Sequence, residues 1–130
     1  MSFSILIVDD EPDIADLFRQ RFRREVRQRQ YVLHFAASGE EALCRFVEIR
    51  PELIVILSDI NMPGMDGLAL LRQIRRLRPE LPVLMVTAYG DDERKRRAGE
   101  LGAVAFLAKP FDFERLKQLL IQLIPGPPDK

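Results

Sequence analysis

Five residues that could carry chemistry follow or end short apolar runs of this sequence. Asp9 and Asp10 follow FSILIV, Asp59 follows LIVILS, Thr87 ends PVLMVT and Lys109 follows AFLA. Taken singly, each has an ordinary explanation as a helix cap, a turn former or a solvated side chain. Unrelated explanations would not place all five at the same point of successive runs. The pattern therefore favours one common site.

Three carboxylates in one site repel one another and raise each other's pKa values. A divalent cation removes that repulsion, and Mg²⁺ typically takes one or two carboxylates, several waters and a substrate phosphate. We therefore expect Mg²⁺ (or Mn²⁺) as cofactor, with Asp10 and Asp59 as direct ligands and Asp9 holding a water.

A phosphoryl group is the substrate that suits these residues. An ionised Asp59 is already a nucleophile and can attack a phosphoryl donor to give an aspartyl phosphate. Such a transfer needs in-line positioning and charge neutralisation more than covalent machinery. Lys109 would supply a fixed positive charge for the phosphoryl oxygens, and the Thr87 hydroxyl would donate a hydrogen bond to another oxygen.

Five apolar strand candidates alternate with five helical segments along the chain. The strand candidates span residues 3–8, 31–36, 53–57, 82–86 and 103–107. This alternation predicts an α/β fold with a doubly wound, five-stranded parallel sheet. Right-handed crossovers leave few topologies, of which the flavodoxin-like (βα)5 order 2-1-3-4-5 is common at this size. The carboxyl ends of such strands form one edge, where ligands bind.

Local signals indicate where the helices begin. Pro12 suits the first turn of a helix, and apolar residues at helical spacing predict one first helix from 14 to 26. Residues 38–41 (SGEE) have the form of a capping box. The fourth helix opens with acids and continues with bases, as its dipole favours, but it has few apolar anchors and should be among the less stable elements.

The first helix is strongly basic late in its course. Its arginines are Arg19, Arg21, Arg23, Arg24, Arg27 and Arg29. A solvated face is the ordinary explanation of such a run. If this face binds a partner, an acidic protein suits it better than DNA.

Composition narrows the class of protein. The 130 residues suit one domain, which we expect at 1–124, with a proline-rich tail or linker start at 125–130. The formal net charge is zero, so no global field favours nucleic acid or membranes. The single cysteine excludes an internal disulfide and a cysteine-based zinc site. We expect a cytoplasmic chain, because neither a secretory leader nor an apolar run of membrane-spanning length is found.

Four stretches resemble the main motifs of response-regulator receiver domains, the CheY-like family of two-component signalling. They are ILIVDDEPDI, LIVILSDINMPGMDGL, VLMVTAYG and FLAKPF, in the order and at separations similar to those of the family. The resemblance covers about residues 4–124. It implies that Asp59 is the phosphorylated aspartate, that Asp9 and Asp10 are the acidic pair around the metal, and that Lys109 is the family's lysine.

The resemblance also implies roles for other positions. The backbone carbonyl of Asn61 would complete the metal shell, and Pro110 would follow a cis peptide bond. Thr87 and Phe106 would form a coupled switch, although Phe106 could equally be plain core. Asn61 and Tyr89 would flank the path of an attacking water, with Tyr89 shielding the phosphoryl group.

The family resemblance implies a signalling protein rather than a separate enzyme. A histidine kinase or phosphotransfer protein would donate the phosphoryl group. The surface formed by the fourth helix, fifth strand and fifth helix would then change to signal to a partner or a fused effector, or to support a homodimer. We expect this domain to bind neither nucleic acid directly nor a membrane.

Two rival functions stay open. A phosphohydrolase with an aspartate nucleophile would usually need a second aspartate two residues later, where this chain has Asn61. A degenerate receiver acting as a phosphorylation-independent binding module would normally lose the acidic pair, the acceptor or the lysine, all of which this chain retains.

Overall fold

A computed structural model describes residues 3–49, 52–88 and 90–123. Within them, the five strands are β1 Phe3–Val8, β2 Tyr31–Ala36, β3 Leu53–Asp59, β4 Val83–Thr87 and β5 Ala105–Ala108. All paired strands are parallel, in the order β2-β1-β3-β4-β5. The predicted α/β class and strand order are confirmed.

Six helical segments connect or follow the strands in the described part of the chain. They are α1 Asp13–Arg21, α2 Arg23–Arg27, α3 Gly39–Ile49, α4 Gly67–Leu77, α5 Asp92–Glu100 and α6 Phe113–Leu123. The prediction of one continuous first helix is wrong, because the backbone leaves helical geometry at Phe22 (φ −106°, ψ 15°). The Phe22 ring is buried and stacks on Phe18 at 5.8 Å between centroids. Its place in the core fixes the chain where the helix breaks.

The core lies on both faces of the sheet. Alternate residues of a strand point to opposite faces, so Leu6 and Val8 of β1 pack with α3 and α4, whereas Ile5 and Ile7 pack with α1 and α6. The strands are therefore mostly apolar on both faces, as expected for a parallel sheet covered on both sides. None of the described helices has the length and apolar character needed to cross a membrane.

Side-chain caps fix the starts of α3 and α4. The Glu41 amide donates to Ser38 Oγ at 3.1 Å, and Glu41 Oε1 accepts from the Ala37 amide at 2.7 Å. This reciprocal pair is a capping box whose return bond reaches one residue before Ser38. At α4, Asp66 accepts from the Ala69 amide at 3.0 Å, which ends the loop that begins at Asp59. The cap thus limits the freedom of that loop.

Candidate functional site

The topology brings the predicted site residues to one edge of the sheet. The order reverses between β1 and β3, and this switch point is where ligands bind in open α/β sheets. Asp9 follows β1 and Asp59 ends β3, while Thr87 ends β4 opposite Ala108 of β5. One carboxylate oxygen from each of Asp9, Asp10 and Asp59 lies within 4.8 Å of the other two.

Lys109 lies among the carboxylates. Its Nζ donates to Asp59 Oδ2 at 2.9 Å and to Glu11 Oε1 at 2.9 Å, and it lies 3.4 Å from Asp9 Oδ2. Glu11 was missed by the sequence reasoning. Its position two residues after Asp9, on the same loop, was the only available signal.

The pKa values of Asp9 and Lys109 are both raised, for different reasons. Burial raises the pKa of the Asp9 carboxyl, which the amide of Glu11 and the charge of Lys109 offset only in part, and the charge of Asp59 adds to the increase. Burial alone would lower the pKa of Lys109, but its hydrogen bonds to Glu11 and Asp59 and the nearby carboxylate charges raise it well above its usual range. Lys109 is therefore a permanent cation at neutral pH.

The donor set fits a small divalent cation. Asp9 Oδ2 is buried and accepts no hydrogen bond; its cationic neighbour Lys109 Nζ lies 3.4 Å away and is shared with the nearer carboxylates of Glu11 and Asp59. A buried carboxylate oxygen without a hydrogen bond is costly unless a cation or a water satisfies it. Asp10 is exposed, so this side of the cluster is open to waters. Carboxylates beside an open side are the environment that Mg²⁺ or Mn²⁺ prefers.

A polar network ties the loop after Asp59 to the start of α5. The Asn61 amide N–H donates to Asp59 Oδ1 at 3.1 Å, and its side-chain Nδ2 donates to Asp91 Oδ2 at 2.8 Å. Asn61 Oδ1 accepts from Arg94, which also lies 3.7 Å from Asp66 Oδ2. We call Asn61, Asp66, Asp91 and Arg94 the loop latch. The sequence predicted a role for Asn61 but not its two partners in α5 and before it.

The remaining predicted positions are placed as follows. Thr87 is buried, and its carbonyl accepts from the Lys109 amide at 2.9 Å. Phe106 pairs with Met85 in the register, two residues before the level of Thr87, and its half-buried ring packs on the α4 and α5 side of the sheet. The peptide bond between Lys109 and Pro110 is cis. Tyr89 lies outside the described residues.

Known proteins with this sequence pattern and fold are response regulators and their relatives. The model of the response regulator receiver domain family matches residues 5–121. Sporulation initiation phosphotransferase F of Bacillus subtilis is 34% identical over 96% of both chains. Sensor kinase CckA of Brucella abortus is 34% identical over 95% of this chain, which spans only 13% of that kinase.

Solved structures give the same result. A response regulator receiver domain protein from Clostridium thermocellum superposes with a TM-score of 0.85 at 27% identity, covering 94% of both chains. A putative response regulator from Chloroflexus aurantiacus gives 0.82 at 34% identity, covering 95% of this chain and 98% of its own. The sequence and fold comparisons agree, and the chain belongs to the response regulator receiver domain family.

Proposed function

We propose that this chain receives a phosphoryl group on Asp59 from a histidine kinase or phosphotransfer protein. The observation that carries the proposal is the position of Asp59, a buried carboxylate 2.9 Å from Lys109 Nζ and grouped with Asp9 and Asp10. Burial limits competing reactions with water, and the fixed cation offsets the charge that the phosphoryl group brings.

The transfer moves one phosphoryl group between two side chains. A carboxylate oxygen of Asp59 forms the new O–P bond, while the P–N bond to the donor imidazole breaks and the imidazole leaves with the electron pair. Lys109 Nζ donates to Glu11 and Asp59 before the transfer. It then turns to donate to the phosphoryl oxygens. The Thr87 hydroxyl donates to another of these oxygens.

The acidic residues would hold a metal ion during this step. Asp10, Asp59 and the backbone carbonyl of Asn61 would bind Mg²⁺ or Mn²⁺ directly, and Asp9 would hold one of its waters. When bound, the ion neutralises negative charge on the phosphoryl oxygens. The buried Asp9 Oδ2 accepts no hydrogen bond, which supports the assignment of Asp9 as the residue that holds a metal-bound water.

The signal would leave through the surface formed by α5, β5 and α6, which are the fourth helix, fifth strand and fifth helix of the sequence prediction. Movement of Thr87 toward the phosphoryl group frees space for the Phe106 ring, because both lie on the same face of the sheet. The α5 helix buries only Ala98, and its Lys95 Nζ lies 5.3 Å from the centre of the Phe106 ring. Its weak anchoring suits an element that moves.

Asn61 and Tyr89 would set the lifetime of the phosphoryl group. The Asn61 side-chain amide makes one bond at each polar end, from Nδ2 to Asp91 and from Arg94 to Oδ1. These bonds fix the orientation of the amide, which hinders it from turning to position a water for attack on phosphorus. An aromatic Tyr89 would add a shield, which predicts faster phosphate loss in Tyr89→Ala.

The chain would act in signalling and not as a separate enzyme, beyond its own phosphorylation and dephosphorylation. The proposed domain spans 1–124, and the proposed tail at 125–130 falls outside the residues that the structure describes. The output would be a protein partner, a fused effector or a homodimer through α5, β5 and α6, without direct nucleic-acid binding. We also propose a cytoplasmic location, where ATP is available to charge a kinase.

Intact mass spectrometry after incubation with acetyl phosphate and MgCl₂ tests the proposal. The parent chain should gain one phosphoryl group, and Asp59→Asn should gain none. Asp16→Asn is the matched control, because Asp16 is an exposed aspartate of α1 with 86% of its side chain accessible. Equal labelling of Asp59→Asn and the parent, or undiminished labelling in excess chelator, would refute it.

A further inference from the structure

A groove runs along the free edge of the sheet, between β2 and the α1–α2 segment. Its volume is about 530 Å³. We call it the basic groove and define it by four arginines and two valines: Arg19, Arg23, Arg27, Arg29, Val26 and Val32. The site residues lie at the carboxyl ends of the strands, whereas the groove follows β2 from its beginning at Tyr31.

The strand beside the groove has an open edge. β2 is the outermost strand and pairs only with β1 among the described residues. Edge strands of soluble proteins are usually protected by lysine, other charges or proline. Residues 31–36 (YVLHFA) contain none of these, and burial lowers the pKa of His34, so the strand carries no charge at neutral pH. Its backbone can therefore pair with another chain.

Apolar side chains form the floor of the groove. Val26 and Val32 are 42% and 41% exposed, although most apolar residues of this fold are buried. Phe35 is half-buried, with the Arg19 guanidinium 4.8 Å from its ring centre. These side chains offer contact area to alternate side chains of an added strand.

The charged residues that line the groove are all arginines, of which Arg19 is paired with Asp16 at 3.2 Å. No aspartate or glutamate is among the described residues that line it. Arg23 and Arg27 are exposed, and neither makes an ion pair with another described side chain. The acid nearest to them in sequence, Glu25, is turned to Lys117 of α6 at 3.0 Å. The net charge of the chain is zero, so this excess of positive charge is local.

The positive charge of the basic groove restricts which class of partner can bind there. Edge-to-edge pairing of two copies would bring two sets of arginines together, and like charges at an interface disfavour binding. Nucleic acid binding uses broad positive fields and exposed aromatic stacking surfaces. Of the aromatic side chains that line this groove in the described residues, Tyr31 is buried and Phe35 is half-buried. A segment that adds a strand needs carboxylates for the arginines and apolar side chains for the floor.

We propose that the basic groove binds an extended acidic segment of a partner protein, which adds as a sixth strand beside β2. Its backbone pairs with the free edge of β2, its apolar side chains contact Val26 and Val32, and its carboxylates pair with Arg23 and Arg27. The inference does not depend on the phosphorylation of Asp59.

Fluorescence anisotropy with a short labelled peptide of alternating glutamate and valine tests the inference. We expect saturable binding by the parent chain that weakens with salt. The double variant Arg23→Glu/Arg27→Glu should bind about tenfold more weakly or worse. The matched control Arg72→Glu/Arg76→Glu makes the same charge change on exposed residues of α4 and should bind like the parent.

Two further measurements separate this site from general attraction. Amides of β2 should gain protection from hydrogen exchange in the complex, and a peptide of alternating lysine and valine should not bind. Circular dichroism checks that each variant is folded, and Val32→Ser, which keeps every charge, should also weaken binding. The inference is overturned by absence of binding to the glutamate–valine peptide, equal loss in the α4 control, unchanged β2 exchange, or preferred binding to duplex DNA or anionic vesicles.

Discussion

Substitution of Gly67 by alanine should destabilise the protein and disturb the phosphoacceptor. Gly67 opens α4, and its amide donates to the Ile60 carbonyl at 3.1 Å. A Cβ added here would lie 2.5 Å from the carbonyl oxygen of Asp59 and 2.8 Å from Cα of Ile60. Both atoms belong to the backbone after β3, so neither can rotate away. The start of α4 or the end of β3 must move.

The size of the effect follows from two opposing contributions. Overpacking against a fixed neighbour typically costs about 1–3 kcal/mol. Alanine regains up to about 0.5–1 kcal/mol over glycine in a helix. These contributions leave a net loss of about 1 kcal/mol. Divided by a urea slope of about 2 kcal/mol per molar, this lowers the unfolding midpoint by about 0.5 M.

Gly99→Ala is the matched control, since a Cβ at Gly99 of α5 would meet only Phe106 Cζ, at 3.9 Å. This is an ordinary contact, so the substitution should raise the free energy of unfolding by about 0.5–1 kcal/mol. Urea denaturation followed by circular dichroism measures both variants. Acetyl phosphate labelling should be slower for Gly67→Ala, because Asp59 is displaced. Equal urea midpoints for Gly67→Ala and the parent would show that the backbone after β3 accommodates the added Cβ.

Three other predictions concern the site. In chelator at neutral pH, Asp9→Asn should unfold at a higher urea concentration than the parent, because the raised folded pKa of Asp9 means that its charged form destabilises the fold. This gain in stability should shrink as the pH falls through the raised pKa and vanish below the ordinary carboxyl range, whereas a gain independent of pH would contradict the prediction. Mg²⁺ at one hundred times its Kd should add about 2.7 kcal/mol to the free energy of unfolding of the parent, and chelator should remove it; a thermal melt of Asp10→Asn should show a much smaller gain, and an equal gain would exclude Asp10 as a ligand. Arg94→Ala should change the free energy of unfolding by less than about 1 kcal/mol, because the contacts of Arg94 are exposed. It should nevertheless shorten the lifetime of the aspartyl phosphate by freeing the Asn61 amide, and an unchanged decay of radiolabel would show that the loop latch does not restrain this amide.

The strands and their order were predictable from sequence because they depend on short patterns of apolar and polar residues along the chain. Each strand is a mostly apolar run, and a polar residue ends or follows β1, β3, β4 and β5 at the edge where ligands bind. Right-handed crossovers then leave few arrangements of five such units. Asp9, Asp59, Thr87 and Lys109 therefore came to one edge without knowledge of any contact.

The break at Phe22 and the loop latch were not predictable in this way. The helical pattern of apolar residues continues through Phe22, and only the packing of its ring on Phe18 shows where the helix ends. The bonds of Asn61 to Asp91 and Arg94 join residues 30 and 33 positions apart. The surface is rich in charged residues of both signs, so many such pairings are equally compatible with the sequence. Only the folded structure shows which of them forms.

Chemical trapping of the phosphorylated residue would identify the acceptor aspartate itself. After incubation with acetyl phosphate and MgCl₂, borohydride reduces an aspartyl phosphate to homoserine, which tandem mass spectrometry of the peptides can locate. Homoserine at position 59, absent without the phosphodonor and without Mg²⁺, is the predicted result. Homoserine at another aspartate, with position 59 unchanged, would contradict the assignment of the acceptor.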